Sequence, residues 1–302
     1  MPITNRLSNL ARSTILLLTQ IRSFNMNQLP SFFVVGASKA GTTATCQVLA
    51  SHPNICFSNP KEPNFFSEFD TDLAEIPPEQ LLEYQKRFPV EGAHQVLGEG
   101  SVKYLNSPRA TYWINHYNPS AKIIIFLRNP LQRVVSLYEM YRRLGIMKMS
   151  PKEAFNVDSY VVRQCLLYDH IMRYVNTFSR DQVLIMIFSD FLEHREQTFA
   201  ELCNFIGVEK TAEIHLPQRN KGGVPKSKAL GFLSNRKLVK VGKKILPSSQ
   251  RTQVDNLIKQ IFFNKLKLGS HQQAELKPFF YPDVEKIGHL IDRNLCQEWQ
   301  LH

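Results

Sequence analysis

The chain has 302 residues, 43% of them hydrophobic, with 13 Gly and 17 Pro, which excludes collagenous and disordered classes and allows a sizeable core. A formal charge of +11, from 37 Lys and Arg against 26 Asp and Glu, raises the local concentration of anionic ligands without naming one. Five cysteines, Cys46, Cys56, Cys165, Cys203 and Cys296, are odd in number and never form a C-x-x-C pair, which argues against a disulfide framework or a zinc site.

In chain order, residues 1 to 28 carry Arg6, Arg12 and Arg22, no acid, and Leu7, Leu10, Leu17, Leu18 and Ile21 at nearly helical spacing. They read as an N-terminal extension, either a transit or membrane-surface segment or a frayed leader before a second start at Met26. The apolar run around Ile15 to Leu18 is far shorter than the roughly 20 residues that span a bilayer, so no transmembrane segment and a cytoplasmic location are expected. Residues 29 to 302 read as one domain.

Within it, short apolar runs at 32 to 35, 123 to 127 and 183 to 188 predict strands buried on both faces, with shorter strands near 55 to 57 and 96 to 97. Helical periodicity covers 42 to 51, 78 to 88, 107 to 117, 130 to 144, 159 to 177 and 192 to 206, the last stopped by Gly207. This alternation predicts an α/β fold, a P-loop-like parallel sheet flanked by helices. After Val208, a Gly-, Pro- and Lys-rich loop over 217 to 228 precedes helices expected near 229 to 241, 250 to 265 and 283 to 295, packed on the same core.

The first strand runs into Gly36-Ala37-Ser38-Lys39-Ala40-Gly41-Thr42-Thr43 and then into a helix. Glycines let the backbone approach a phosphate, and the amides at the helix start favour an anion. Lys39 adds an ammonium, and Thr42 and Thr43 add hydroxyls. In the nucleoside triphosphatase loop G-x-x-x-x-G-K-[ST] the lysine follows the second glycine. Here Thr42 fills that slot and Lys39 lies two residues before Gly41, so a kinase loses the group that reaches the terminal phosphates. A P-loop nucleotide kinase, with Asp190 after a buried strand, and a non-enzymatic polyanion-binding protein stay open as alternatives.

The displaced lysine resembles the 5'-phosphosulfate loop of sulfotransferases that use 3'-phosphoadenosine 5'-phosphosulfate (PAPS). Arg128-Asn129-Pro130-Leu131-Gln132-Arg133-Val134-Val135-Ser136-Leu137-Tyr138, directly after the 123 to 127 strand, is similar to that family's R-[DN]-P-x-x-R-x-x-S-x-Y signature. The resemblance implies the sulfotransferase fold, PAPS as cofactor with PAP as its product, and no metal requirement. It assigns Lys39, Ala40, Gly41, Thr42 and Thr43 to the 5' end of the nucleotide, and Arg128 and Ser136 to the 3'-phosphate. Arg133 and Tyr138 read as packing or pairing residues. The stretch Arg219-Asn220-Lys221-Gly222-Gly223-Val224-Pro225-Lys226-Ser227-Lys228 looks like the late nucleotide-covering loop, which adds Lys226 and Ser227 as contacts.

Pro60-Lys61-Glu62-Pro63-Asn64-Phe65-Phe66 resembles the K-E-x-x-F-F segment of the carbohydrate-type branch, which uses the glutamate as base. Glu62 is therefore the expected base and Lys39 the electrophilic partner, with Lys61 positioning sulfuryl oxygens or pairing with a carboxylate. Some branches use histidine, but His52, His94 and His116 lack a comparable context. Gly98-Glu99-Gly100-Ser101-Val102-Lys103-Tyr104 is similar to a G-E-x-[ST]-x-x-Y loop bordering the acceptor pocket, so Glu99, Lys103 and Tyr104 are expected acceptor contacts. The implied partner is a carbohydrate, lipid or other small-molecule acceptor bearing a hydroxyl or amine, with no nucleic acid expected.

Overall fold

The computed structural model describes residues 29–89, 96–210, 224–225, 263–264 and 266–302. The chain divides into two compact units. Met1–Leu127 with His170–Pro217 forms the first, and Arg128–Asp169 with Gln218–His302 forms the second. The chain passes from one to the other three times, after Leu127, after Asp169 and after Pro217.

The first unit is built on a five-stranded, all-parallel sheet: β1 (Phe32–Gly36), β2 (Ile55–Phe57), β3 (Val96–Gly100), β4 (Lys122–Leu127) and β5 (Val183–Ile187), in the order β2-β3-β1-β4-β5. β1 is buried along its whole length, as are Ile123 to Leu127 of β4, as continuous apolar runs covered on both faces must be. Helices follow the strands: α1 (Thr42–Ala50), α2 (Pro78–Gln85) and α3 (Pro108–Tyr117). Ser107 accepts from the Ala110 amide and Pro108 takes the first turn, the ordinary chemistry of a helix start. The alternation read from the sequence is this sheet.

In the second unit, α4 (Pro130–Leu144) is framed by its own residues. The Asn129 side chain accepts from the Leu131 amide, Pro130 opens the first turn, and Gly145 closes the helix at φ +73°. Two short helices, α5 (Pro151–Ala154) and α6 (Tyr160–Arg163), follow. The single helix expected over 159 to 177 is in fact two, because α7 (Tyr168–Thr177) starts anew. The Asp283 carboxylate accepts from the amides of Leu167 and Tyr168 and so caps α7, while Cys165 and Leu166 close the preceding turn with three-residue bonds.

Back in the first unit, the strand expected to 188 ends at Ile187, and the helix expected from 192 starts earlier, as α8 (Phe188–Glu193) and α9 (Arg195–Ile206) broken at His194. Gly207 ends α9 at φ +92°. In the second unit, β6 (Val224–Pro225) pairs antiparallel with β7 (Phe263–Asn264). The helix expected over 283 to 295 is instead α10 (Ser270–Leu290), followed by α11 (Leu295–Glu298). Pro278 and Pro282 lie inside α10, where an interior proline costs about 3 kcal/mol or more. The stripe of Leu276, Phe280, Val284 and Ile287, buried at helical spacing, outweighs them. The helices expected at 229 to 241 and 250 to 265 lie outside the described residues. Among those residues no helix is long and apolar enough to cross a membrane.

Candidate active site

At the end of β1 the loop turns sharply because two residues take left-handed backbone, Lys39 at φ +68° and Gly41 at φ +85°. The Ala37 amide donates to the Phe126 carbonyl (2.9 Å), extending the pairing with β4, and the Ala40 amide returns to the Ala37 carbonyl (3.1 Å). Glycine at 41 is required twice over, by its φ and because a Cβ there lies 1.9 Å from the Phe188 ring. The Gly41 carbonyl starts α1 by accepting from Ala44 and Thr45. The N-cap residue Gly41 has no side chain to cap α1 and the first turn holds no acid, so the helix dipole there favours an anion. The structure thus gathers Lys39, Ala40, Gly41, Thr42 and Thr43 into one turn, with Ala40 and Thr42 buried and Thr43 exposed.

The segment after β2 also holds left-handed backbone, at Glu62 (φ +63°) and Asn64 (φ +56°), conformations that cost a non-glycine residue on the order of 1 kcal/mol or more. Three amides pin it to the segment after β3. Glu62 donates to the Gly100 carbonyl (3.1 Å), Asn64 to Ser101 Oγ (3.0 Å), and Phe66 to the Tyr104 hydroxyl (3.1 Å). Beneath them Phe66 is buried edge-on to Phe33 of β1, and Phe65 stacks on Tyr84 of α2 at 4.3 Å. The result presents an exposed Glu62 carboxylate paired with Lys61 Nζ at 2.5 Å. Asn64 Oδ1 is buried there without a hydrogen-bond partner.

Glu99 and Tyr104 correct the sequence reading. Both are fully buried, so neither has surface to offer an acceptor. Glu99 sits in β3 with its carboxylate accepting from Ser101 Oγ (2.5 Å), from Tyr104 OH (3.2 Å) and, in a short contact, from Tyr84 OH. Burial pushes its pKa up to about 7, against the pull of those three hydroxyls and of Lys61. Since its ordinary value is 4.5, the folded protein keeps a proton between about pH 4.5 and 7 that the unfolded chain has released. The sign follows: this group's contribution to stability falls as pH rises through that window, by up to about 3 kcal/mol. Denaturant unfolding from pH 5 to pH 8 is therefore expected to show a downward trend in wild type that Glu99→Gln removes. An equal trend in both proteins would contradict the assignment.

Lys103 is exposed and paired with Glu68 at 2.7 Å, which lowers the Glu68 pKa through that hydrogen bond. His52 is a packing residue: its ring meets the Glu209 carbonyl at 2.8 Å and accepts from the Asn54 amide. His116 lies exposed on α3 beside Tyr112, and His94 lies outside the described residues. Sequence reasoning missed Tyr84, Ser101 and Cys46. Cys46 of α1 faces Lys61, Glu62 and Glu99, but burial pushes its thiol up to about 12 and keeps it inert. The five cysteines are buried and none is in a disulfide.

In the second unit Arg128 is the first residue after β4, its Nε donating to Gln132 Oε1 at 3.2 Å, and Ser136 lies half-buried two turns into α4. Arg133 and Tyr138 are buried, with Tyr138 OH donating to the Met149 carbonyl at 2.9 Å. Lys226 and Ser227 lie outside the described residues.

The first unit thus sets a buried strand, a left-handed lysine turn and a helix start without a side-chain cap directly one after another. The family model described as sulfotransferase domain matches residues 29–302. The chain belongs to the sulfotransferase domain family. This sulfotransferase domain is 32% identical over 117 residues to bifunctional heparan sulfate N-deacetylase/N-sulfotransferase 1 of Caenorhabditis briggsae, covering 39% of the chain and 13% of that protein. It is 28% identical over 199 residues to bifunctional heparan sulfate N-deacetylase/N-sulfotransferase 3 of Mus musculus, covering 60% of the chain and 23% of that protein. The match thus spans under a quarter of the length of these relatives. The solved structure of a sulfotransferase from Alicyclobacillus acidocaldarius superposes with a TM-score of 0.62 at 25% identity, covering 90% of this chain and 99% of that one.

Proposed function

We propose that this domain transfers a sulfuryl group from PAPS to a hydroxyl or amine of a glycan or small-molecule acceptor, with Glu62 as the base. The observation that carries the reading is the turn at the end of β1. Its lysine precedes the second glycine, its backbone is left-handed at both positions, and the helix behind it has no cap of its own. A Cβ at Gly41 would run into the Phe188 ring, so the turn keeps its shape only with glycine there. These residues fit the nucleotide. When bound, PAPS supplies the sulfuryl group and leaves as PAP.

The chain's own part is to hold, orient and move a proton. Glu62 takes the acceptor proton as the acceptor oxygen or nitrogen bonds to sulfur, and the electron pair of the breaking S–O bond passes to the phosphate. Lys39 and the first amides of α1 stabilise that growing charge. Arg128 and Ser136 are assigned the 3'-phosphate by their motif. Lys61 Nζ lies 2.5 Å from the Glu62 carboxylate, close enough to help orient it. The named substrate of the relatives, heparan sulfate, supports a glucosaminyl glycan as first acceptor to try.

Calorimetry with PAP tests the nucleotide half. The wild-type chain is expected to bind at micromolar affinity or better, and Arg128→Ala to weaken binding roughly ten- to thirtyfold, the worth of a charge-assisted contact of about 1.5–2 kcal/mol. Absence of heat with folded wild-type protein would defeat the reading.

A further inference from the structure

We propose that Glu99 is a positioning residue: its buried carboxylate sets the direction of two hydroxyl relays that hold the Glu62 loop in its left-handed shape. This deepens the reading of Glu62 as base and rests on it. One relay runs from the Asn64 amide to Ser101 Oγ and from Ser101 to one oxygen of Glu99, at 3.0 and 2.5 Å. The other runs from the Phe66 amide to the Tyr104 hydroxyl and on to the second oxygen, at 3.1 and 3.2 Å. Each hydroxyl donates its single hydrogen inward to Glu99 and keeps its lone pairs for the loop amide. An ionised carboxylate only accepts, so it forces both hydroxyls, and that of Tyr84, to donate to it. A protonated carboxyl has a hydrogen to place on one of the three. Placed on Ser101 or Tyr104, it reverses that hydroxyl and makes it share its lone pairs between the carboxyl and the loop amide, which weakens that anchor.

The loop depends on these anchors because Glu62 and Asn64 occupy backbone conformations that relax once released. The ionisable groups facing Glu99 are Tyr84 from α2, Tyr104 from the turn after β3, Lys61 beside Glu62, Cys46 from α1 and Tyr174 from α7. Lys61 alone among them is cationic, and the tyrosines and the thiol are held neutral by burial. Ionisation of Glu99 near pH 7 therefore governs the relays, and turnover gains a limb rising through that pH.

The test uses the full chain and the variants Glu99→Gln, Ser101→Ala and Tyr104→Phe. Glu99→Gln retains one acceptor oxygen but puts a donor where the other stood. It is expected to speed hydrogen exchange at the Glu62, Asn64 and Phe66 amides at least tenfold while leaving β1 amides unchanged. Transfer of label from sulfur-labelled PAPS to acceptors in cell extract is expected to fall roughly ten- to thirtyfold in maximal rate. The PAPS KM and PAP affinity stay within about twofold, and the limb near pH 7 disappears. Ser101→Ala removes one relay alone and is expected to free Asn64 more than Phe66, with Tyr104→Phe doing the converse. These two read the proposal even if Glu99→Gln fails to fold. Loop amides exchanging at the wild-type rate in the folded variants, or a KM effect without a rate effect, overturn it. Full turnover in Glu62→Gln overturns the base assignment instead and leaves the exchange result standing.

Discussion

Glu62→Gln is expected to bind PAP within about twofold of wild type while turnover of PAPS falls on the order of a hundredfold or more, the usual contribution of a positioned base. The substitution preserves side-chain volume, and the loop shape is set by main-chain amides at 62, 64 and 66 that the change leaves alone. What disappears is the proton acceptor and the partner of Lys61. That exposed ion pair is worth little to stability, about 0–1 kcal/mol, so the melting temperature should barely move. Turnover and nucleotide affinity are therefore separable in one protein. Near-normal turnover would move the base elsewhere, and parallel loss of PAP affinity would make Glu62 a nucleotide contact.

The sheet was legible because β1, β4 and β5 are essentially continuous apolar runs and the helices carry ordinary caps, such as Asn129 with Pro130 and Gly145 around α4. The helix ends that departed from expectation did so through partners distant in sequence. Asp283 restarts α7 from over a hundred residues away, and the buried stripe of α10 overrides two prolines. The same division holds at the site. The lysine turn is local, and its residues are contiguous in the chain. The role of Glu99 is not local, since it depends on Tyr84 from α2 and on the amides of a loop some 35 residues earlier. A motif reading places a carboxylate beside a pocket but cannot say that it points inward. Ser101 lay inside the quoted motif and was the available signal, because a hydroxyl two residues from a strand acid is placed to bridge it to a neighbouring loop.

Lys39→Met is expected to lower maximal turnover by about 10²- to 10³-fold, the loss usual when one preorganised stabiliser of developing charge is removed. Methionine keeps the apolar stem and removes the ammonium, so the effect isolates charge from packing. The position is costly to hold, because a lysine at φ +68° sits in backbone that favours glycine, and the turn places it between the buried end of β1 and the uncapped start of α1. A surface lysine kept only for solubility has no need of such a conformation. PAP binding is expected to weaken only about tenfold, since the amides and the Arg128 motif still hold the phosphates while the ammonium acts most on charge that grows during transfer. Lys39→Gly relieves the backbone and deletes the charge, and is expected to be more stable than wild type yet as inactive as Lys39→Met. That opposition of stability and activity separates a functional lysine from a structural one. If both variants turned over within threefold of wild type, the turn would be a fold element without a role in transfer.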